Sequence, residues 1–264
     1  MLRINRVSTG AVDYLLKGSG CEREHVTPTR QQRDAAEYFL DASLHGEAPG
    51  VWHGKGIDAV GMAAGEIATE EDVRAVFGEL THPDTGEQLG RSPGNYRSYE
   101  QRLEKLLERE PDATPERRRE LEVEAKHNGQ NATAYYDLTF SPVKSVSVYY
   151  SALMEAGRED EAQQVLQAHR DAVDAAMSYA EEHAAYTRTG YHGRTASGRS
   201  VGRYEEATGL IQTRWEHSTN RESEPQLHTH VAVLNRVQTK SDGKIRSLDG
   251  TSFRPIKEGI DSVY

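Results

Sequence analysis

The stretch QLHTHVAVLNRV, residues 226–237, constrains the fold more than any other. Its β-branched and apolar residues favour extended backbone. In a strand, residues i and i+2 share a face. His228 and His230 therefore project together, with Leu227, Thr229 and Val231 on the other side. A second extended segment, GLIQTRWEHS at 209–218, precedes it across a short polar turn, NRESEP at 220–225. The two read as a hairpin, which sets His217 across from the pair. Three imidazoles then converge on one small volume. Three neutral nitrogen donors suit a divalent cation and leave coordination positions open. On a hard cation those positions suit phosphate oxygens, or a water to be activated. The plainer alternative is three unrelated polar side chains on a half-exposed sheet.

Length and composition narrow the classes further. With 264 residues the chain can bury a core in one large domain or two small ones. It is too polar for a membrane protein, and no apolar run approaches the roughly 18–20 residues of a spanning helix. The start, MLRINRVSTGAVDYLLKG, lacks the apolar stretch of a secretory signal. The single cysteine, Cys21, excludes an internal disulfide and a multi-cysteine zinc site, and fits a reducing cytoplasm. A net charge of −10 argues against a surface coated with nucleic-acid-binding charge. The acid is local, however: residues 34–87 carry −10 and residues 155–182 carry −6, whereas 183–264 carry +3 and the first 30 residues +2. A nucleic-acid partner fits if the two basic ends meet.

Along the chain, Leu2 to Val7 reads as a short strand, followed by a turn at Thr9–Gly10 and the start of a helix. Residues 30–44 look helical, with Ala35, Phe39 and Tyr38 inward. Thr69, followed by Glu70, Glu71 and Asp72, is a capped helix start with Val73, Val76, Phe77 and Leu80 as its apolar face. Residues 82–90 form a loop. Residues 97–126, divided by Pro111 and Pro115, read as two short, polar, largely solvated helices, an excursion from the main body. TAYYDLTFS at 133–141 is a strand, and VKSVSVYYSALM turns helical after Lys144. Residues 159–184 form the longest helix, with Val165, Leu166, His169, Val173, Ala176, Met177 and Ala180 as its stripe. From Tyr186 onward short strands alternate with Gly-rich turns. The fold class is α+β with mostly antiparallel pairing.

A metal beside a phosphate needs an attacking group. Tyr14, just after the first strand, could attack phosphorus and form a covalent phosphotyrosine link, and Tyr38 is a second candidate. Thirteen tyrosines make simple packing the ordinary role for either. Asp137 is the one acid between Lys126 and Met154. It could hold a ligand histidine in one tautomer, accept the tyrosine proton, or sit at the surface. Lys144, Arg221 and Arg3 are candidates for phosphate contact. Trp215 and Trp52 could stack on bases, although core packing is commoner.

YYDLTFSPVKSVS at 135–147 and EHSTNRESEPQLHTHVAVLNR at 216–236 resemble the N-terminal relaxase domain of TrwC/TraI-type (MobF) conjugative relaxases, within the HUH endonucleases. EAPGVWHGKG at 47–56, THPDTGEQLGR at 81–91 and the helix around 168–190 are similar in the same order. The resemblance implies an antiparallel HUH palm flanked by helices, with the 97–126 segment as a charged helical insertion in one relaxase domain over 1–264 that continues past Tyr264. It implies a site- and strand-specific single-stranded DNA endonuclease and strand transferase that nicks a transfer origin through a 5′-phosphotyrosine. His217, His228 and His230 then hold the divalent ion, Mg²⁺ or Mn²⁺, with Zn²⁺ or Ni²⁺ also suited to three histidines. Asp137 stands beside them, and Tyr14 and Tyr38 match the first and later catalytic tyrosines. Single-stranded DNA is the partner, with relaxosome and coupling proteins around a monomeric cytoplasmic domain. Familiar members carry adjacent tyrosine pairs; here Leu15 follows Tyr14 and Phe39 follows Tyr38. The alternatives are a phosphodiesterase using activated water and a non-catalytic DNA-binding or initiator-like module.

Overall fold

The computed structural model describes residues 1–8, 49–92, 99–111, 113–127, 133–194, 200–220 and 224–264. In chain order the strands are β1 (Leu2–Ser8), β2 (Val51–His53), β3 (Thr133–Phe140), β4 (Tyr186–Arg194), β5 (Ser200–Glu206), β6 (Gln212–Thr219), β7 (Pro225–Leu234), β8 (Val237–Gln238) and β9 (Ile245–Arg246). The helices are α1 (Glu70–Val73), α2 (Tyr99–Arg109), α3 (Pro115–His127), α4 (Lys144–Glu155), α5 (Glu159–Ala184) and α6 (Phe253–Val263).

Five strands form one sheet in the order β1-β3-β7-β6-β2, with every pairing antiparallel. β7 lies at its centre and is buried from Leu227 to Leu234, on both faces. A half-exposed sheet with one wet face is therefore not what forms here. The alternation still sorts the side chains. One face of β7 presents Leu227, Thr229, Val231 and Val233. Val231 and Val233 pack with Leu138 and Phe140 of β3 against α5 and α6 through Val173, Met177, Phe253 and Ile260. The other face presents His228, His230, Ala232 and Leu234. Its apolar half packs with Trp52, Val76, Phe77, Tyr135 and Trp215. That face is polar at one end and apolar at the other, so the histidines sit at the edge of a core that their own strand anchors.

α5 forms where the apolar spacing of 3.6 residues predicts it, and buries Leu166, His169, Val173, Ala176, Met177, Ala180 and Ala184. Val165, part of the expected stripe, is only half-buried. Three polar ties hold this helix to the sheet: His169 to Thr229, Arg170 to Glu216, and Asp174 to Arg214. α1 starts at the expected cap, where the Thr69 hydroxyl accepts from the Asp72 amide at 3.2 Å. A π-helical turn, Arg74–Glu79, continues it, and Leu80 then takes a left-handed conformation at φ 57° with its side chain buried.

The charged excursion is two helices, α2 and α3, but it is not all solvated. Leu121 and Ala125 are buried, and the Arg102 guanidinium donates to the Ala125 carbonyl at 2.9 Å. Arg117 grips the Glu110 carboxylate through two nitrogens, both at 2.9 Å. The expected helix at 30–44 and the turn at Thr9–Gly10 lie outside the described residues.

Candidate metal centre

The β6–β7 hairpin pairs His217 directly with His228, and Trp215 with His230. Directly opposed residues of an antiparallel pair share a face, so the three imidazoles stand together. The ring centres of His217 and His228 are 5.1 Å apart, of His228 and His230 5.2 Å, and of His217 and His230 5.7 Å. All three are buried, at 4–6% exposure.

Two hydrogen bonds set the tautomers. The Nδ1 of His228 is 2.8 Å from the Gln226 carbonyl, which can only accept, so this nitrogen carries the proton and Nε2 the lone pair. The Nδ1 of His230 is 2.9 and 3.1 Å from the two oxygens of Asp137. A buried carboxylate on Nδ1 makes that nitrogen the donor and again leaves the lone pair on Nε2. Asp137 is 1% exposed, so the surface alternative for it falls. Its strand β3 is next to β7, and Asp137 sits one row from His230 on the same face. Thr139, directly across from His230, places its hydroxyl 3.3 Å from the same Nδ1.

The donor set fits a divalent ion. An ion about 2.1 Å from each nitrogen would stand roughly 3.2 Å from each ring centre, and tetrahedral angles would separate those centres by roughly 5.2 Å. The observed spacings bracket that value. As the side chains stand, no group of three or more His, Cys, Asp or Glu among the described residues is arranged to hold an ion.

The other expected site residues fall variously. Arg3 lies on the histidine face, in one row with Thr139, His230 and Trp215. Lys144 begins α4, with its ammonium 3.4 Å from the Glu224 carboxylate at the start of β7, and is about half exposed. Trp215 is corrected: it is 4% exposed, its Nε1–H donates to the Thr213 hydroxyl at 3.0 Å, and its ring packs where a Cβ on Gly50 would lie 2.6 Å away. That ring is part of the core under the histidines and offers bases no open surface. Trp52 is likewise fully buried, stacked near Phe77. Tyr14, Tyr38 and Arg221 lie outside the described residues.

Thr139 and Asn5 were missed in the sequence, although period-2 alternation from Asp137 and from Arg3 places each on this face. The Arg170–Glu216 pair, 2.7 Å apart behind the hairpin, has no local signal, since its partners are 46 residues apart.

An antiparallel palm with a histidine–x–histidine pair on its central strand defines an HUH-type architecture. The family description "TrwC relaxase" matches residues 14–264, and the chain belongs to that family. It is 32% identical to a Multifunctional conjugation protein TraI of Escherichia coli over 203 residues, covering 75% of this chain and 10% of that protein. The TraI of strain K12 is 31% identical over 208 residues, covering 76% and 10%. The chain thus spans about a tenth of the length of these relatives. Among solved structures, the metal-bound conjugative relaxase TrwC in complex with oriT DNA is similar at a TM-score of 0.60 and 21% identity, over 100% of this chain and 66% of that one. A copper-bound complex matches at 0.60 and 22%, over 100% and 67%. No helix among the described residues is long and apolar enough to cross a membrane.

Proposed function

We propose that this chain is a metal-dependent relaxase that cuts and rejoins one DNA strand at a transfer origin through a covalent 5′-phosphotyrosine. One observation carries the reading: three imidazoles grouped on one face of β6 and β7, with Asp137 fixing the His230 tautomer, in a chain of the TrwC relaxase family. The solved relatives described as bound to metal and to oriT DNA support the same substrate and cofactor class.

His217, His228 and His230 hold a divalent ion, Mg²⁺ or Mn²⁺ in the working protein, although Zn²⁺ or Ni²⁺ also suits them. The ion, when bound, supplies Lewis-acid charge at the non-bridging phosphate oxygens. Tyr14 attacks phosphorus, the bond to the 3′ oxygen breaks, and that oxygen leaves as a hydroxyl. The 5′ phosphate stays on the tyrosine, and attack by a 3′-hydroxyl reverses the step. Tyr38 serves a second transfer. Both Asp137 oxygens face the His230 Nδ1, so this carboxylate orients the ring; the tyrosine proton goes to water directly or through Asp137. Lys144 and Arg221 contact the DNA backbone. The domain works in the cytoplasm, with accessory relaxosome and coupling proteins around it.

The test is a random single-stranded library labelled at its 3′ end, incubated with Mn²⁺ and run on a denaturing gel. The label should shift with the protein. Tyr14→Phe should abolish the shift, and His228→Ala should lower both the shift and calorimetric Mn²⁺ affinity. Cutting without attachment would favour activated water instead. Binding without cutting would favour a non-catalytic module.

A further inference from the structure

The edge strand β1 contributes to the histidine face: Arg3, so far one of several candidates for phosphate contact, and Asn5, which has no role so far. Antiparallel register aligns Arg3 with Thr139 and His230, and Asn5 with Asp137 and Ala232. Arg3 and Asn5 thus end the two rows that carry His230 and Asp137. Neighbouring strands are about 4.8 Å apart, so the Arg3 backbone stands about two strand spacings from that of His230. An extended arginine side chain spans much of that gap.

Both side chains are exposed, and among the described residues neither has a hydrogen bond or ion pair. Arg6, by contrast, sits on the opposite face in register with Tyr136, where its guanidinium donates to the Thr133 hydroxyl at 2.8 Å. The sheet therefore sorts its two edge arginines, one to each face. The Glu224 carboxylate, at the end of the β6–β7 turn, is tied elsewhere, to Asn220 and Lys144. A solvated guanidinium with no carboxylate on it among the described residues, beside three imidazoles, has the fork of donors that binds phosphate oxygens in pairs.

We propose that β1 is a phosphate clamp: Arg3, with the Asn5 amide beside it, grips the phosphodiester next to the one held at the three-histidine centre. The clamp rests on the single-strand reading of that centre. It fixes the strand at two successive phosphates, so the reacting phosphate is held against rotation. It also supplies positive charge locally, in a chain whose net charge is −10.

The experiment measures binding of a fluorescent mixed-sequence 20-nucleotide single strand to the full chain over a salt series, by anisotropy. One lost phosphate contact on a single strand lowers the slope of log affinity against log salt by about 0.7. Arg3→Gln should show that loss, and Arg3→Lys should keep the slope. Arg6→Gln, on the other face, should leave it unchanged. Calorimetric Mn²⁺ affinity of the free chain should be the same in Arg3→Gln as in wild type. The gain in Mn²⁺ affinity on adding the strand should shrink, because coupling between two ligands is reciprocal. An unchanged slope in Arg3→Gln, an equal loss in Arg6→Gln, or an undiminished coupling overturns the clamp. Those outcomes leave phosphotyrosine formation on the denaturing gel intact, whereas failure to bind any strand overturns both readings.

Discussion

Asp137 and His169 show how one residue's surroundings decide its task. Asp137 is buried with both oxygens on the His230 Nδ1, so removing its charge frees that ring to adopt the other tautomer. Asp137→Asn is expected to weaken Mn²⁺ binding about 10–100-fold with little change in the circular dichroism spectrum. His169, on the helix-covered face, lies between the Thr229 hydroxyl at 2.8 Å and the Tyr264 phenol at 3.0 Å. Burial lowers its pKa from 6.5 to about 4, with Arg170 adding to the effect and Glu216 opposing it. The unfolded chain thus takes up a proton between those values and the folded chain does not. Stability from this group is complete above pH 6.5 and is lost as the pH falls toward 4. Urea titrations should show a loss of about 2 kcal/mol between pH 7 and pH 5 that His169→Gln lacks. The imidazoles of the centre were legible because they are close in sequence and obey the period of a strand. The role of His169 was not: it read as one more position of an apolar stripe, and its partners lie 60 and 95 residues away.

Among the elements, the hairpin and its neighbours were the most readable. The β6–β7 hairpin, β3, α1, α4 and α5 follow from alternation, helical spacing and one threonine cap. Trp215 was misjudged because strand composition says nothing about what packs over a ring. Here Gly50, just before β2, lies against the indole. Gly50→Ala should push the indole out of place and cost about 1–3 kcal/mol. Tryptophan fluorescence and the melting temperature would register it, and a variant with wild-type values for both would contradict this packing. The pairing of α2 with α3 was obscured for a similar reason. Both helices are rich in charge, and among their described side chains only Leu121 and Ala125 are fully buried.

For the molecule as a whole, a metal held by the proposed three-histidine centre would be linked to folding. A ligand that binds the folded chain at 100 times its dissociation constant stabilises it by about 2.7 kcal/mol. In a domain of this size that should raise the melting temperature by roughly 5–10 °C on Mn²⁺ addition, reversed by EDTA and absent in His228→Ala. The order of the sheet adds a consequence for assembly. β1 and β3 make one half, β2 and β6 the other, and β7 alone joins them. As the polypeptide leaves the ribosome, Asp137 emerges 93 residues ahead of His230. Neither half can find the other until the last large strand arrives between them. The keystone that closes the palm also delivers two of its three imidazoles, so an incompletely assembled chain has no finished centre with which to capture an ion prematurely.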